Sequence, residues 1–334
     1  MRTAVLAITR GGREKGEQLA RSLEQADFFF CRGRLRETIA RVWQESVDDR
    51  RYDALVCIMS TGIVVRTIGP LLQDKQTDPA VVVCDEAGRF AISLVSGHVG
   101  GANTLAEQVA DILGGQAVIT TASDVLGKTP LDLWIREQGF VVSDRKGLTR
   151  IMGRLVNGHI IRIWSEVPLP ELPPDMEKTD DPGKADLLVT CRADMAVRGV
   201  VLHPKILVAG IGCNRGTAAR EIEQALAGAC ADHNLALLSI ARLASIDLKQ
   251  DERGLLEFAG IHGYPLVFFN RDQLNRVDNV SSSDVVFKAT GAKGVAEPAA
   301  ILAAENGRLL VRKMKWPNVT VAVAVPAWFP CPVR

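Results

Sequence analysis

The sequence predicts an α/β protein: an amino-terminal open, mostly parallel sheet domain, a small α/β middle unit and a separate carboxy-terminal α/β domain. Up to residue 124, short apolar runs alternate with segments of helical spacing, as in chains that build parallel sheets. A proline-rich stretch at 167–174 and a charged run at 175–184 interrupt this alternation, which resumes at residue 206. We therefore predict domains at residues 1–124, 125–202 and 203–334.

The amino-terminal elements follow from the spacing of apolar residues. Apolar runs predict strands at 4–9, 28–30, 54–59, 80–84, 90–95 and 117–120, of which 90–95 is expected to be buried. Helices are expected at 14–24, at 63–72 and downstream of residue 102. Glycine and polar residues predict turns at 10–12, 60–62 and 85–89 and a loop at 74–79.

The rest of the chain predicts two further groups of elements. In the middle unit, strands at 160–164 and 187–191 flank the proline-rich stretch, which we interpret as a surface connection. The carboxy-terminal domain begins with a strand at 206–209, a glycine-rich turn at 210–216 and a helix at 218–230. Further strands are predicted at 237–241 and 266–269, and a terminal hairpin at 309–314 and 319–325.

The composition excludes several classes of protein. No apolar run approaches the roughly 18 residues that span a bilayer, and the first apolar run is too short for a secretory signal. We therefore expect a cytoplasmic protein. With 40 basic and 39 acidic side chains, the net charge gives no sign of nucleic-acid or membrane binding. Local clusters of arginine and lysine must hold any anionic ligand.

The cysteines and histidines do not predict a metal site. The seven cysteines are scattered and contain no CxxC pair, so free thiols are expected rather than disulfides or zinc ligands. No metal-ligand spacing connects the histidines outside the 96–103 stretch, which are His159, His203, His233 and His262.

The stretch at 96–103, Ser-Gly-His-Val-Gly-Gly-Ala-Asn, is the best candidate for chemistry. It joins a predicted strand to a predicted helix, where glycines allow a tight turn and free N–H groups favour an anion or a developing oxyanion. His98 lies inside the turn and is a candidate general base or acid. The alternative is a packing loop in which His98 only forms a hydrogen bond.

The glycine-rich stretch at 210–216 partly matches a dinucleotide-binding fingerprint. Its third glycine is one position late, and no clear acidic residue closes the next predicted strand. We therefore expect neither NAD(P) nor ATP to bind tightly, although a nucleotide-dependent enzyme stays an alternative.

Several motifs together resemble the cobalt-precorrin-5A hydrolase family, CbiG. The amino-terminal resemblance is carried by the stretches at 62–66, 78–90, 96–103 and 118–125. The stretches at 210–216, 245–249 and 289–297 resemble the carboxy-terminal domain of the family, and also stand-alone proteins of aerobic cobalamin synthesis. The resemblance covers nearly the whole chain and is weakest over the first fifty residues and the middle unit.

The resemblance implies an enzyme of anaerobic cobalamin biosynthesis. Its substrate would be a cobalt-bearing tetrapyrrole whose ring-A acetate is closed into a δ-lactone. Water would open the lactone, and the C20 carbon would leave with its methyl group as acetaldehyde, giving cobalt-precorrin-5B. No protein cofactor is expected, because the cobalt arrives inside the substrate. Transient contact with neighbouring methyltransferases of the pathway is a further expectation.

This reaction suggests roles for individual residues. The candidate catalytic residues are His98, as the base that activates water, and Asp85 or Glu86, for proton transfer during carbon–carbon cleavage. Arginine and lysine suit a polycarboxylate substrate. The candidate substrate-binding residues are Arg66, Lys75, Arg89, Gly97, Gly100, Gly101, Asn103, Gly210, Gly212, Asn214, Arg215, Lys249 and Lys293.

Two alternatives to these assignments stay open. Each of the basic residues could instead be a solvated surface charge, and Asp85 and Glu86 could form a solvated turn. A protein that binds and hands on a cobalt-corrinoid without altering it would need the same basic residues but no base.

A crevice between the amino- and carboxy-terminal domains would suit a ligand of this size.

Overall fold

The computed structural model describes residues 1–49, 51–74, 77–196 and 198–329. Its strands are β1 (Thr3–Ala7), β2 (Ala26–Phe30), β3 (Ala54–Ile58), β4 (Ala80–Cys84), β5 (Phe90–Val95), β6 (Gln116–Val118), β7 (Phe140–Val142), β8 (Ile161–Ser165), β9 (Met176–Lys178), β10 (Leu187–Val189), β11 (Val200–Pro204), β12 (Leu207–Cys213), β13 (Ile240–Ile246), β14 (Leu266–Phe269), β15 (Arg308–Lys315) and β16 (Val319–Val325). Its α-helices are α1 (Arg10–Ser22), α2 (Leu35–Asp48), α3 (Thr61–Ile68), α4 (Ala102–Leu113), α5 (Ala122–Val125), α6 (Leu131–Glu137), α7 (Arg145–Val156), α8 (Ala219–Asp232), α9 (Arg253–His262), α10 (Arg271–Asn275), α11 (Asp284–Thr290) and α12 (Ala296–Ala303).

The chain divides into two compact units. The first consists of Met1–Arg136 together with Leu155–Asn157, and the second of Glu137–Arg154 together with Gly158–Arg334. The first unit holds one six-stranded sheet, and the second holds two five-stranded sheets. The predicted α/β class is confirmed, with mostly parallel strands in the first two sheets and a mixed third sheet.

Both faces of the amino-terminal sheet are buried. The strand order is β2-β1-β3-β4-β5-β6. Alternate residues of β1 enter two different cores: Val5 packs with residues of α1 and α4, whereas Leu6 packs with residues of α2 and α3. Because successive side chains of a strand point to opposite faces, helices on both sides explain why β1, β3 and β4 are buried at every position.

One strand reverses the direction of the amino-terminal sheet. Strand β5 runs antiparallel to β4, to which it is joined by the turn at 85–89, and β6 runs parallel to β5. The loop that follows β5 therefore lies at the edge where β4 begins. This reversal decides which functional residues can meet.

The second unit contains a middle sheet and a carboxy-terminal sheet. The middle sheet has the order β7-β11-β10-β8-β9, with only β7 antiparallel to its neighbour. The carboxy-terminal sheet has the order β14-β13-β12-β16-β15, with β12, β13 and β14 parallel. The predicted terminal hairpin is confirmed as the antiparallel pair β15 and β16.

Several local predictions are wrong. The predicted strand at 237–241 begins only at Ile240, because Leu237–Ser239 form a 3-10 turn, and the predicted turn at 60–62 leads directly into α3, which begins at Thr61. The predicted turn at 10–12 is the first turn of α1, because the Thr9 hydroxyl caps the helix by accepting from Gly12 N. Strand β5 is mostly half-buried rather than buried, since it pairs on one side with only the short strand β6. The predicted turn at 210–216 begins only at Asn214, because β12 continues to Cys213.

Close packing of helix α12 requires a glycine at position 210. Helix α12 lies on the carboxy-terminal sheet, where its alanines join a core with residues of β12, β13 and β16. A Cβ atom at Gly210 would lie 1.9 Å from the carbonyl oxygen of Ala296. Only glycine permits this close approach of helix and strand.

Within the described part of the chain, no helix is both long enough and apolar enough to cross a membrane.

The glycine contact predicts opposite effects for two substitutions. Gly210→Ala should lower the free energy of unfolding by about 3 kcal/mol or prevent folding, because backbone atoms cannot yield to the new methyl group. Gly260→Ala is the matched control: a Cβ atom added at this exposed glycine of α9 would meet no other atom within 4 Å, so alanine should stabilise by about 0.5–1 kcal/mol. Urea unfolding followed by circular dichroism measures both, and a Gly210→Ala variant of wild-type stability would contradict the packing.

Candidate active site around His98

The loop between β5 and α4 is a closed turn that presents His98. Gly101 N donates to His98 O at 3.0 Å, and Ala102 N donates to Ser96 O at 3.1 Å. Gly101 is the residue before α4 and has φ +86°, a left-handed conformation that favours glycine. The Arg136 guanidinium also donates to Val99 O. These contacts fix the backbone of the loop around His98.

Two carboxylates flank the imidazole of His98. Its Nε2 lies 2.8 Å from Asp124 Oδ2, and its Nδ1 lies 3.5 Å from Asp132 Oδ1. The Ser123 hydroxyl also approaches Nε2, at 3.1 Å. Asp124 and Ser123 lie on the short helix α5, and Asp132 lies on α6. We call His98, Asp124 and Asp132 the imidazole–carboxylate cluster.

The cluster raises the pKa of His98. The hydrogen bond with Asp132 makes the largest contribution, partial burial opposes it, and the hydrogen bond with Asp124 adds to the rise. The His98 side chain is only 9% exposed, so water screens these interactions weakly. At neutral pH a larger fraction of His98 is therefore protonated than of an ordinary histidine.

Asn103 is part of the support of the cluster. Its side-chain amide donates to Asp124 Oδ2 at 2.8 Å and to Thr121 Oγ1 at 3.3 Å, and its carbonyl oxygen accepts from Ser93 Oγ at 2.6 Å. Asn103 is buried. Its observed contacts hold Asp124 in place, whereas the sequence suggested contact with substrate.

The loop keeps several backbone donors free. Among the described residues, no partner accepts from the backbone N–H groups of Gly97, His98, Val99 and Gly100. Free N–H groups beside an acid or base are the arrangement that stabilises an oxyanion. Gly97 and Gly100, two of the candidate substrate-binding residues, carry two of these N–H groups.

The structure does not bring Asp85, Glu86 or Arg89 to His98. They lie in the turn after β4, whereas the Ser96 hydroxyl, two residues before His98, donates to Asp78 O just before β4. Five residues of strand span roughly 17 Å, so the two groups lie at opposite edges of the sheet. Arg66 follows β3, which is parallel to β4, and belongs to the far edge too.

The charges at the far edge partly neutralise one another. Arg89 Nε lies 3.3 Å from Asp85 Oδ2, and the Arg89 side chain is 74% exposed. Asp85 also accepts from Phe90 N at 2.8 Å. Although burial opposes it, these hydrogen bonds lower the pKa of Asp85, which therefore holds the turn as a carboxylate.

In the second unit, some predicted residues line a cavity of the carboxy-terminal sheet. Gly212, Asn214, Arg215 and Lys249 contribute to its wall. Gly210 is packed against α12, and Lys293 is exposed and is not among the lining residues. Lys75 lies outside the described residues.

The described residues contain no cluster of His, Cys, Asp or Glu that could hold a metal ion. The six cysteines among them are free: Cys31, Cys57, Cys84, Cys191, Cys213 and Cys230. Burial raises the pKa of several of these thiols, that of Cys57 to about 12.

The sequence did not single out three residues around His98. Ser123 and Asp124 belong to the stretch at 118–125, which resembles the family but suggested no chemical role. Asp132 belongs to no motif. Asp124 follows β6, which is parallel to β5, and the ends of neighbouring parallel strands meet at one edge. This rule could have placed Asp124 beside His98, but nothing in the sequence locates Asp132.

Comparison with known proteins adds independent evidence. The family model described as Cobalamin synthesis G N-terminal matches residues 40–124, and the model described as Cobalamin synthesis G C-terminus matches residues 207–324. A protein of Priestia megaterium named cobalt-precorrin-5A hydrolase is 37% identical over 96% of this chain and 94% of its own length. The chain belongs to the cobalt-precorrin-5A hydrolase family.

Two further relatives illustrate the range of similarity. The cobalt-precorrin-5A hydrolase of Salmonella typhimurium is 34% identical over 82% of this chain and 82% of its own length. Protein CobE of Sinorhizobium sp is 34% identical over 36% of this chain and 80% of its own length. The amino-terminal family model includes His98 and Asp124, whereas Asp132 lies outside both matched ranges.

The raised pKa of His98 predicts a pH-dependent contribution to stability. Between the pKa of an unfolded histidine and the raised folded value, the folded protein keeps a proton that the unfolded chain has lost. The contribution of His98 to the free energy of unfolding is therefore full in mild acid, and it is lost as the pH rises through the pKa of His98 in the folded protein. Urea unfolding from about pH 6 to pH 9 measures it.

His98→Gln should remove this part of the change in the free energy of unfolding with pH. The control His159→Gln, at an exposed position, should keep it. Identical slopes for His98→Gln and wild type would contradict the charged pairing of His98.

Proposed function

We propose that this chain catalyses the reaction named for its relatives, the hydrolysis of cobalt-precorrin-5A in cobalamin biosynthesis. The observation that carries the proposal is the similarity to a cobalt-precorrin-5A hydrolase along nearly the whole of both chains. We further propose that lactone opening is followed by release of C20 and its methyl group as acetaldehyde. The imidazole–carboxylate cluster and the free N–H groups beside it supply what this chemistry requires.

Asp124 is the proposed base for lactone opening. Its Oδ2 accepts from Asn103 and pairs with His98, whereas no described residue donates to Oδ1. Its side chain is 37% exposed and so accessible to water. A water molecule that gives its proton to Oδ1 adds to the lactone carbonyl, and the oxyanion forms near the free N–H groups of Gly97–Gly100.

His98 is the proposed proton donor. Two flanking carboxylates favour its imidazolium, so His98 holds a proton near neutral pH and is available as a donor rather than as a base for water. This role differs from the general base expected from sequence. Collapse of the tetrahedral intermediate breaks the bond between the acyl carbon and the C20 oxygen, and His98 gives its proton to that oxygen as it leaves. The C20 hydroxyl then returns its proton to His98 and becomes the aldehyde as the carbon–carbon bond breaks. The electron pair of that bond passes to the macrocycle, which takes up a proton.

Asp132 has a positioning role in this proposal. It contacts Nδ1, the ring nitrogen opposite the one that faces Asp124, and its side chain is only 13% exposed. A partly buried carboxylate at this nitrogen holds the ring orientation and keeps the proton on it, as a partner carboxylate does in other histidine sites. Transfer of the product to a pathway methyltransferase stays a prediction.

The reaction predicts a stoichiometric product. Purified protein incubated without oxygen with cobalt-precorrin-5A should release one acetaldehyde for each substrate consumed, with no added nucleotide or metal. Alcohol dehydrogenase and NADH measure the aldehyde, and mass spectrometry should show a corrinoid that has lost two carbons. Tight binding of the corrinoid without aldehyde above the enzyme-free control would overturn the hydrolase and favour a carrier.

The cluster predicts which variants lose turnover. His98→Gln and Asp124→Asn should each lower kcat by roughly 10²–10⁴, because each removes one proton-transfer group. The matched controls His159→Gln and Asp111→Asn, both at exposed positions, should keep wild-type kcat. Folded His98→Gln and Asp124→Asn variants with full activity would remove the cluster from the mechanism.

A further inference from the structure

The carboxy-terminal sheet carries a cavity of about 480 Å³ at one edge. Strands β12 and β13 are parallel and end there, and the hairpin between β15 and β16 closes another side. Cavities of this size at the carboxyl ends of parallel strands are typical ligand sites. We call it the lysine cavity, after Lys313 and Lys315 of β15.

The lining of the lysine cavity is positively charged. It contains four basic residues, Arg215, Lys249, Lys313 and Lys315, and no aspartate or glutamate. Lys313 and Lys315 stand two residues apart on β15, the spacing that places side chains on one face of a strand. The field in the cavity therefore favours an anion.

Two of these cations are already paired. Arg215 Nη1 lies 2.5 Å from Asp251 Oδ1, and Lys249 Nζ lies 3.0 Å from Glu252 Oε2. Glu252 is buried and also accepts from Gly216 N at 2.9 Å, and this hydrogen bond ties the loop after β12 to the start of α9. Arg215 and Lys249, which the sequence suggested as substrate contacts, thus have structural partners.

Lys313 and Lys315 are the cations left for a ligand. Among the described residues, neither ammonium group lies within 4.0 Å of a carboxylate. Although burial opposes it, the pKa of Glu297 is lowered, mainly by hydrogen bonds to Glu297 and to a smaller extent by the charge of Lys313. Both oxygens of Glu297 accept short hydrogen bonds, from Ser281 N at 2.5 Å and from Lys313 N at 2.9 Å.

The same cavity offers apolar contact at its mouth. Val285 of α11 is 78% exposed and Leu248 is 50% exposed, and both belong to the lining. Trp316 and Val286 add apolar surface farther along the wall. Apolar side chains beside unpaired ammonium groups suit a ligand that is flat and apolar in its body and carboxylated at its rim.

We propose that the lysine cavity binds one carboxylate-bearing edge of the corrinoid, with Lys313 and Lys315 pairing its carboxylates and Val285 and Leu248 contacting the ring. This inference rests on the proposed function. A corrinoid with all its side chains is larger than the cavity, so only an edge enters. Neither lysine was recognised in the sequence.

Binding of a stable probe tests the proposal without turnover. The probe is dicyanocobyrinic acid, a cobalt corrin whose side chains end in free carboxylates, and its comparison is the fully methyl-esterified form. By calorimetry, the double variant Lys313→Gln, Lys315→Gln should bind the acid roughly five- to twentyfold more weakly than wild type. Its affinity for the ester should stay within about twofold, because no carboxylate is left to pair.

Arg312→Gln is the matched control. Arg312 directly precedes Lys313 on β15, is exposed and does not line the cavity, so loss of its charge should leave affinity for the acid unchanged. If Arg312→Gln weakened binding of the acid as much as the double lysine variant does, the effect would be one of general charge, and the proposed site would be overturned. Displacement of the acid by equimolar ATP would indicate a phosphate site and overturn it as well.

Turnover separates this inference from the proposed function. If wild type releases acetaldehyde, the double variant should raise KM and leave kcat unchanged, because the lysines bind and do not react. Wild-type affinity and KM in the double variant would refute the lysine cavity while the hydrolase stands. Charge-dependent binding in a protein that releases no aldehyde would support the cavity and refute the hydrolase.

Discussion

The contact between one imidazole and two carboxylates organises the candidate active site. Asp124 and Asp132 lie on different helices and approach different ring nitrogens of His98. An imidazolium between two carboxylates leaves the group with a net negative charge, so a carboxylate can accept a proton while the ring donates one. Acid and base are thereby separated by environment, as in other sites where neighbouring groups divide the two roles.

The reversed strand β5 determines which residues belong to this group. Had β5 run parallel to β4, the loops after both strands would meet at one edge, and Asp85 would stand near His98. Because β5 is antiparallel, the turn that carries Asp85 and the loop that carries His98 lie at opposite edges. The neighbouring strand β6 is parallel to β5 and brings Asp124 to the His98 edge instead.

Much of the fold could be predicted from sequence, because buried parallel strands leave a strong apolar signal. The strand at 80–84 was predicted at its observed bounds, and the terminal hairpin within a residue. The beginning of α1 was missed because glycines suggested a turn where the Thr9 cap begins a helix. Gly210 suggested a binding turn, whereas helix packing on a continuing strand explains it.

The candidate site was predictable only in part. Apolar pattern and glycine content located His98, since these are local signals. Its partners come from segments that are distant in sequence, and Asp132 stands in no local motif. The lysine cavity shows the same limit, because the ion pair that neutralises Arg215 depends on Asp251, 36 residues farther along the chain, being brought near by the fold.

The most direct test of the central claim is the pKa of His98 itself. Nuclear magnetic resonance of protein with isotope-labelled histidine, assigned by comparison with His98→Gln, gives this value. Our account predicts a pKa above the ordinary value of about 6.5 that falls in Asp132→Asn. A His98 pKa at or below the ordinary value, unchanged in Asp132→Asn, would contradict the cluster as the source of the proton.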